Sequence, residues 1–375
     1  MIDFDAVFFI SFGGPEKSED VMPFLEIVTK GRGIPRERLL GVAEHYEHFG
    51  GRSPINEITA RQAQGLAAAL RASGDARPVH VGQRNWHPFI EDALRRMKDA
   101  GVKKAFGLCT AAYRCEASHE RYVEAVEQAR ANLGPGAPVV EYAGPWFDHP
   151  LFIDAIAARV REKNVPADAP WTFTAHSIPC AMAKDSRYVE ELKTAAGLVA
   201  AKFGKTDWTL AFTSRSGNPR DAWLEPDVSK VIRAAAADGK RDMVVIPIGF
   251  LADHVEVLYD LDFEARATAD EVGLRLHRVE TVGDHPAFIA LLADLVRRGA
   301  PADTAGAASS KRRGDAPPPC YCFPGDPEPP CRRPPAARPT ARPSGPPPNK
   351  PPAPGPLPGR AGPAGPGASG ALRLP

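Results

Sequence analysis

PWTFTAHSIP at residues 170–179 and MVVIPIGFLADHVEVLYDLDFEA at residues 243–265 share one design. Each opens on a short β-branched or aromatic run, passes through turn residues, and then presents polar side chains. Short apolar runs bounded by turn residues read as buried strands of a parallel sheet. Six more such runs occur, at 5–12, 78–82, 104–110, 138–143, 208–214 and 274–278. Helical patterns separate them. Over 186–203, Val189, Leu192, Ala196 and Val199 recur at spacings of three and four, one face of an α-helix. Residues 57–71, 88–100, 118–133, 149–163, 227–237, 253–270 and 285–298 read the same way. Strand-then-helix repetition predicts parallel sheets covered by helices on both faces. Four strands followed by four more, at similar spacing, predict an α/β protein of two similar doubly wound, Rossmann-like domains, 1–165 and 166–300. Ligands in such folds bind beyond the carboxyl ends of the strands, so a cleft suited to a flat ligand is expected there.

Composition narrows the function classes. With 47 basic and 46 acidic residues the net charge is +1, which offers no electrostatic ground for nucleic-acid binding. No apolar run reaches the roughly 18 residues of a membrane-spanning helix. The start, MIDFDAVFFISF, lacks the basic region and cleavage site of a signal peptide, so a cytoplasmic protein is expected. Residues 301–375 hold 23 of the 40 prolines and no apolar periodicity, and a disordered tail is expected. Cys320, Cys322 and Cys331 cluster in that tail, whereas Cys109, Cys115 and Cys180 are scattered. In a cytoplasmic protein a cluster of this kind suggests a metal or iron–sulfur site more than a disulfide.

Polar residues stand out at two strand ends. His176 follows the first run of the second half. Glu256, Asp260 and Glu264, spaced by four, fall on one face of the expected helix 253–270. Three carboxylates in a row repel one another, and such a stripe is ordinarily a solvated face. Here the facing positions Val257, Leu258 and Leu261 are apolar and the stripe begins one turn after a strand end. A row of hard oxygen donors there suits a divalent cation or a proton path.

These segments resemble the ferrochelatase family. FTAHSIP and GFLADHVEVLYDLD look like its two signatures. SFGGP (11–15), FGGRSPIN (49–56) and SRSGNPRDAWLEPDV (214–228) add three more in the same order. GRGIPRERL and WLEPDV most resemble the actinobacterial, coproporphyrin-using branch. The resemblance implies insertion of Fe2+, as substrate, into a porphyrin in haem synthesis, with no nucleotide cofactor. His176 then matches the family's metal-binding and proton-accepting histidine, and Glu256 its carboxylate partner on the opposite side of the slot. Asp260 and Glu264 match an acidic row suggested as a second metal site. Tyr46, Ser53, Arg84 and Tyr122 match porphyrin-contact positions. Phe12 stands where some members carry an iron-ligating tyrosine, so this chain lacks that oxygen. Phe12, Trp223 and Ile248 or Phe250 are candidate slot walls, and His254 is expected to hydrogen-bond close by. Contacts with other haem-pathway enzymes are compatible with the reading.

Some family members hold a 2Fe–2S cluster on three cysteines after the last helix and one from the first domain. Cys320, Cys322 and Cys331 would supply three ligands here. Cys115 is the favoured fourth, with His119 at the aligned actinobacterial position and Ala155 at the animal-type one. A tail of unligated thiols is the alternative. Protoporphyrin IX is the alternative substrate to coproporphyrin III. A cobalt or nickel chelatase, or a haem carrier without catalysis, are the competing functions. Truncation after residue 335 is expected to leave metallation unchanged, measured as porphyrin turnover; loss of turnover would assign the proline-rich stretch an active role.

Overall fold

Eight strands and twelve helices make up residues 4–215 and 221–299, the part of the chain described by a computed structural model. The strands are β1 (Ala6–Ser11), β2 (Val79–Gln83), β3 (Lys104–Cys109), β4 (Val139–Tyr142), β5 (Trp171–His176), β6 (Trp208–Thr213), β7 (Asp242–Ile246) and β8 (Arg275–Arg278). Each begins within one residue of its expected run, because a buried parallel strand is the only cheap use of so short an apolar stretch. All pair in parallel, in two sheets of order β2-β1-β3-β4 and β6-β5-β7-β8. The two sheets therefore repeat one topology, as the doubly wound α/β reading requires.

Helices follow the expected rhythm: α3 (Ile55–Ala72), α4 (Ile90–Asp99), α5 (Arg121–Leu133), α6 (Pro150–Lys163), α8 (Tyr188–Ala201), α9 (Val228–Ala237), α11 (Ala265–Glu271) and α12 (Pro286–Arg298). Two further helices, α1 (Ser18–Val28) and α2 (Arg36–Glu47), fill the link between β1 and α3. Sequence periodicity misses them for physical reasons. Pro23 interrupts α1, and α2 buries only Leu39 fully, so its apolar stripe is too thin to read. The short α7 (Cys180–Lys184) and α10 (Val255–Val257) complete the set. Where one helix was expected over 253–270, α10 opens into a wide π-helical segment, Leu258–Glu264, before α11.

Strand side chains alternate between faces. In β1, Val7 and Phe9 enter a large core with Phe106, Phe173, Val244 and Ile246, so that core runs across both sheets. Ala6, Phe8 and Ile10 face the opposite way, under α4 and α5. Met243 and Val245 likewise face α9 and α11. The last helix, α12, lies on α3 and α6 of the first half. Its Phe288 ring sits 6.0 Å from Trp146, Arg61 pairs with Asp284 at 2.8 Å, and Gln62 Nε2 donates to the Gly283 carbonyl at 2.8 Å. Cys320, Cys322, Cys331 and the rest of the proline-rich stretch lie outside the described residues, as do residues 216–220 of the segment 214–228.

The chain leaving β7 passes close against β5. Gly249 donates its N–H to the Thr174 carbonyl at 3.0 Å. A Cβ on Gly249 would come within 2.6 Å of Ala175 Cβ and 2.7 Å of Ala175 Cα. Neither neighbour is a flexible side-chain end, so the chain must move if that space is filled. Gly249→Ala is expected to destabilise the fold by about 1–3 kcal/mol in a urea melt, as overpacking does; an unchanged midpoint would show that the contact yields freely.

Candidate functional site

His176 is the last residue of β5 and the first on that strand to leave the core. Its Nδ1 lies 2.5 Å from the Ser177 carbonyl oxygen, which identifies Nδ1 as the donor. Its Nε2 lies 2.9 Å from Glu256 Oε1, and the two side chains are 32% and 39% exposed. The expectation that they stand on opposite sides of a slot needs correcting. The loop after Gly249 folds back against β5 and puts the carboxylate directly on the imidazole.

Charge is distributed unevenly here. Burial disfavours the imidazolium of His176, but the Glu256 carboxylate and the Ser177 carbonyl outweigh it and raise the group to about 9. Burial pushes Glu256 up, and His176 more than reverses this, holding the carboxylate well below its usual range. The next carboxylate goes the other way: burial and the neighbouring Glu256 raise Asp260 to about 7. The Ser214 hydroxyl donates to Asp260 Oδ2 and lies 3.2 Å from Thr213 Oγ1. Ser214 does this from a left-handed backbone with φ of 64°, a conformation uncommon for a side chain of its kind. Glu264 is raised by burial and by Asp227. The acidic row is thus an electrostatic unit, graded from an ionised inner end to a titratable middle.

The other expected residues fall in two groups. Phe12, just past β1, lies 6.3 Å ring to ring from Phe24, which lies 5.9 Å from Tyr46 and 6.2 Å from Trp86. Tyr46 is half-buried, and desolvation, with a smaller push from the Glu256 charge, drives its hydroxyl pKa up. Aromatic rings therefore lead from the end of β1 to the pair. Arg84, past β2, is half-buried; burial lowers its pKa, the Arg121 and Arg32 charges add to this, and Tyr122 and Glu124 oppose it. Tyr122 is buried and bonded to Thr110. Ser53 is buried, donates its N–H to Pro15 and packs on Gly14. Trp223 bridges to Pro179 just after His176. Ile248 is 2% exposed within the main core, so it is no slot wall. Phe250 meets the His254 ring at 5.4 Å instead. His254 Nδ1 accepts the Val257 N–H at 3.1 Å, capping α10, and burial keeps it neutral.

Three contributors escape sequence reading. Tyr188 donates its hydroxyl to the His176 carbonyl at 3.0 Å. Ser214 opens the SRSGNPRDAWLEPDV segment without any feature that marks it. Arg278, at the end of β8, reads as an ordinary strand-end charge. Among the described residues no three His, Cys, Asp or Glu side chains converge to hold an ion. The pair suits a metal that takes its remaining ligands from another molecule.

Comparisons with known proteins agree on the family. A family model described as Ferrochelatase matches residues 4–300. Coproporphyrin III ferrochelatase of Mycobacterium avium is 47% identical over 302 residues, covering 79% of this chain and 88% of the relative. The Mycobacterium marinum protein of the same name is 45% identical over 342 residues, covering 89% and 96%. Ferrochelatase of Rhodopirellula baltica is 44% identical over 301 residues, covering 78% and 86%. Among solved structures, SirB from Bacillus subtilis with Fe3+ superposes with a TM-score of 0.52 at 11% identity, covering 81% of this chain and 98% of that one, a likeness of fold.

The sign of the pH dependence is set by the pair. A raised His176 contributes stability in full below its unfolded value near 6.5 and loses it as pH rises through about 9. A depressed Glu256 contributes above its unfolded value and loses it in acid. Glu256→Gln is expected to drop the His176 titration midpoint from about 9 toward the ordinary 6.5, read by imidazole NMR. An unmoved midpoint would mean that the carboxylate does not hold the proton.

Proposed function

The chain belongs to the ferrochelatase family, and on that premise we propose that it inserts ferrous iron into coproporphyrin III through His176 and Glu256. The observation that carries the reading is their direct contact, 2.9 Å between Nε2 and Oε1, at the carboxyl end of a parallel sheet. At neutral pH the pair holds one shared proton. Iron binding between imidazole and carboxylate displaces that proton, since a metal competes for the same lone pairs. Both groups then act on one face of the ring.

Transfer to the ring exchanges Fe2+ for two pyrrole protons. His176, relieved of the metal, accepts one at Nε2, where the Glu256 carboxylate 2.9 Å away stabilises the imidazolium. Asp260, raised to about 7, is suited to accept and release protons at neutral pH, and Glu264 continues the row. The second proton leaves by the same carboxylates once the first has passed. The half-buried rings of Phe12 and Tyr46, backed by the buried Phe24 and Trp86, offer apolar contact to the macrocycle. Arg84, half-buried just past β2, offers a cation and N–H donors to a propionate, whereas Arg121 is already paired with Glu116 and Glu124. Coproporphyrin carries four propionates against two in protoporphyrin, so a cation at this position supports the more anionic ring. A cytoplasmic place of action, and contact there with neighbouring haem-pathway enzymes, belong to the same proposal.

Cys115 does not fit as the fourth ligand of an iron–sulfur cluster. Its side chain is 3% exposed within the main core, and burial raises the thiol while cluster ligands are thiolates. His119 is less enclosed and held neutral by burial, the state in which an imidazole ligates. Metallation at His176 and Glu256 needs no such cluster. Any absorbance and inorganic sulfide that the purified protein carries is expected to survive Cys115→Ser; its loss would return Cys115 to the ligand set.

His176→Ala is expected to keep the fold and slow metallation by about 10²–10⁴-fold, the range for a positioned acid–base group. Turnover at the native rate would remove the mechanism. Arg84→Ala is expected to raise KM for coproporphyrin III more than for protoporphyrin IX, measured side by side with ferrous iron. Equal effects would take Arg84 out of substrate choice.

A further inference from the structure

Arg278 is the last residue of β8, paired in register with Val245 of β7, and its side chain is 6% exposed. Its Nη2 lies 2.5 Å from Asp253 Oδ1 and 3.5 Å from Asp262 Oδ2, and its Nη1 lies 3.5 Å from Asp253 Oδ2. Its Nε is buried with no hydrogen-bond partner among the described residues, so only the two Nη groups reach the acids. Neither acid belongs to the Glu256–Asp260–Glu264 row. Asp253 stands three residues before Glu256, and Asp262 stands two after Asp260, so the acids bracket the segment that carries the inner carboxylates.

That segment has little to hold it in place by itself. It consists of a loop from Pro247, the three residues of α10 and the π-helical segment, whose wide turns are seldom stable alone. The His254 cap supplies one internal bond. Val257 and Leu261, buried in the core with α9 and α11, anchor its apolar side; β8, hydrogen-bonded to β7 through four register pairs, brings Arg278 to the acids on its polar side. An arginine with its planar fork can serve two carboxylates at once; a lysine ammonium cannot reproduce that fork.

We propose that Arg278 is a positioning residue for metal insertion, one guanidinium clamping Asp253 and Asp262 so that the intervening chain holds Glu256 against His176. The inference rests on the chelatase reading of that pair and adds a residue that touches neither iron nor porphyrin. A loose clamp leaves the aromatic and arginine contacts to the ring intact, because these come from the first half of the chain. It lets Glu256 drift. Misplacement by about 1 Å costs roughly 10²-fold in rate.

The test compares Arg278→Lys with wild type in the full-length chain, using ferrous iron and coproporphyrin III. Arg278→Lys is expected to stay folded by circular dichroism, keep its porphyrin KM within about twofold, and lose about 10–100-fold in kcat. A neutral triple variant, R278Q/D253N/D262N, removes the buried charges together and so separates folding from alignment. It is expected to fold and to remain slow. Native kcat in Arg278→Lys, or full recovery in the triple variant, would overturn the clamp. Failure of both variants to fold would also overturn it, as a requirement of folding alone. Absence of metallation by wild type would instead fail the underlying reading of the pair.

Discussion

Close passage of β7 past β5 is the constraint on which the rest of the site depends. Gly249 lies where any side chain would strike Ala175, one residue before His176. Because the backbones approach there, the chain leaving β7 turns back over β5, and Glu256 lands 2.9 Å from the imidazole. The cross-sheet core keeps the strands from sliding, so the contact is a product of packing as much as of charge. Without that approach, His176 would be a strand-end histidine and Glu256 a helix-end carboxylate.

From the ion pair outward, each carboxylate alters the next. Glu256 is satisfied by His176 and stays ionised, and its charge makes ionisation of Asp260 harder. Hydroxyls of Ser214 and Thr213 offset part of that cost without neutralising it. The π-helical turn matters because it departs from regular α-helix at the row itself, an irregularity common at functional sites. Proton affinity is highest at His176, falls at Glu256 and recovers at Asp260, so Asp260 is the carboxylate of the row that titrates near neutral pH.

Two further groups act through the backbone and loops. The Tyr188 hydroxyl holds the His176 carbonyl, fixing the strand end from behind. Arg278 holds the acidic segment from the far edge of the same sheet. On the first half, α2 reaches the same place: its His45 ring stacks on Tyr259 at 3.6 Å, and its Tyr46 approaches Glu256. The aromatic cluster and the His176–Glu256 pair come from different halves of the chain, and these contacts join them.

The sequence by itself determined the strands and their parallel pairing into two like sheets, and it singled out His176 and Glu256 as candidates. Short buried runs and helical periodicity are local properties, and the signature segments survive as contiguous words. It did not reveal α2, whose amphipathic stripe is thin, nor the π-helical turn, since spacing by four reads as α-helix until the hydrogen bonds are seen. It mistook Ile248 for a wall because a residue at a strand end can face either core or cleft. Only the tertiary structure decided that the imidazole and carboxylate touch, that Cys115 is sealed inside, and that Arg278 spans Asp253 and Asp262. These facts are distances between residues far apart in the chain, set by how sheets and loops pack, and no local pattern encodes them.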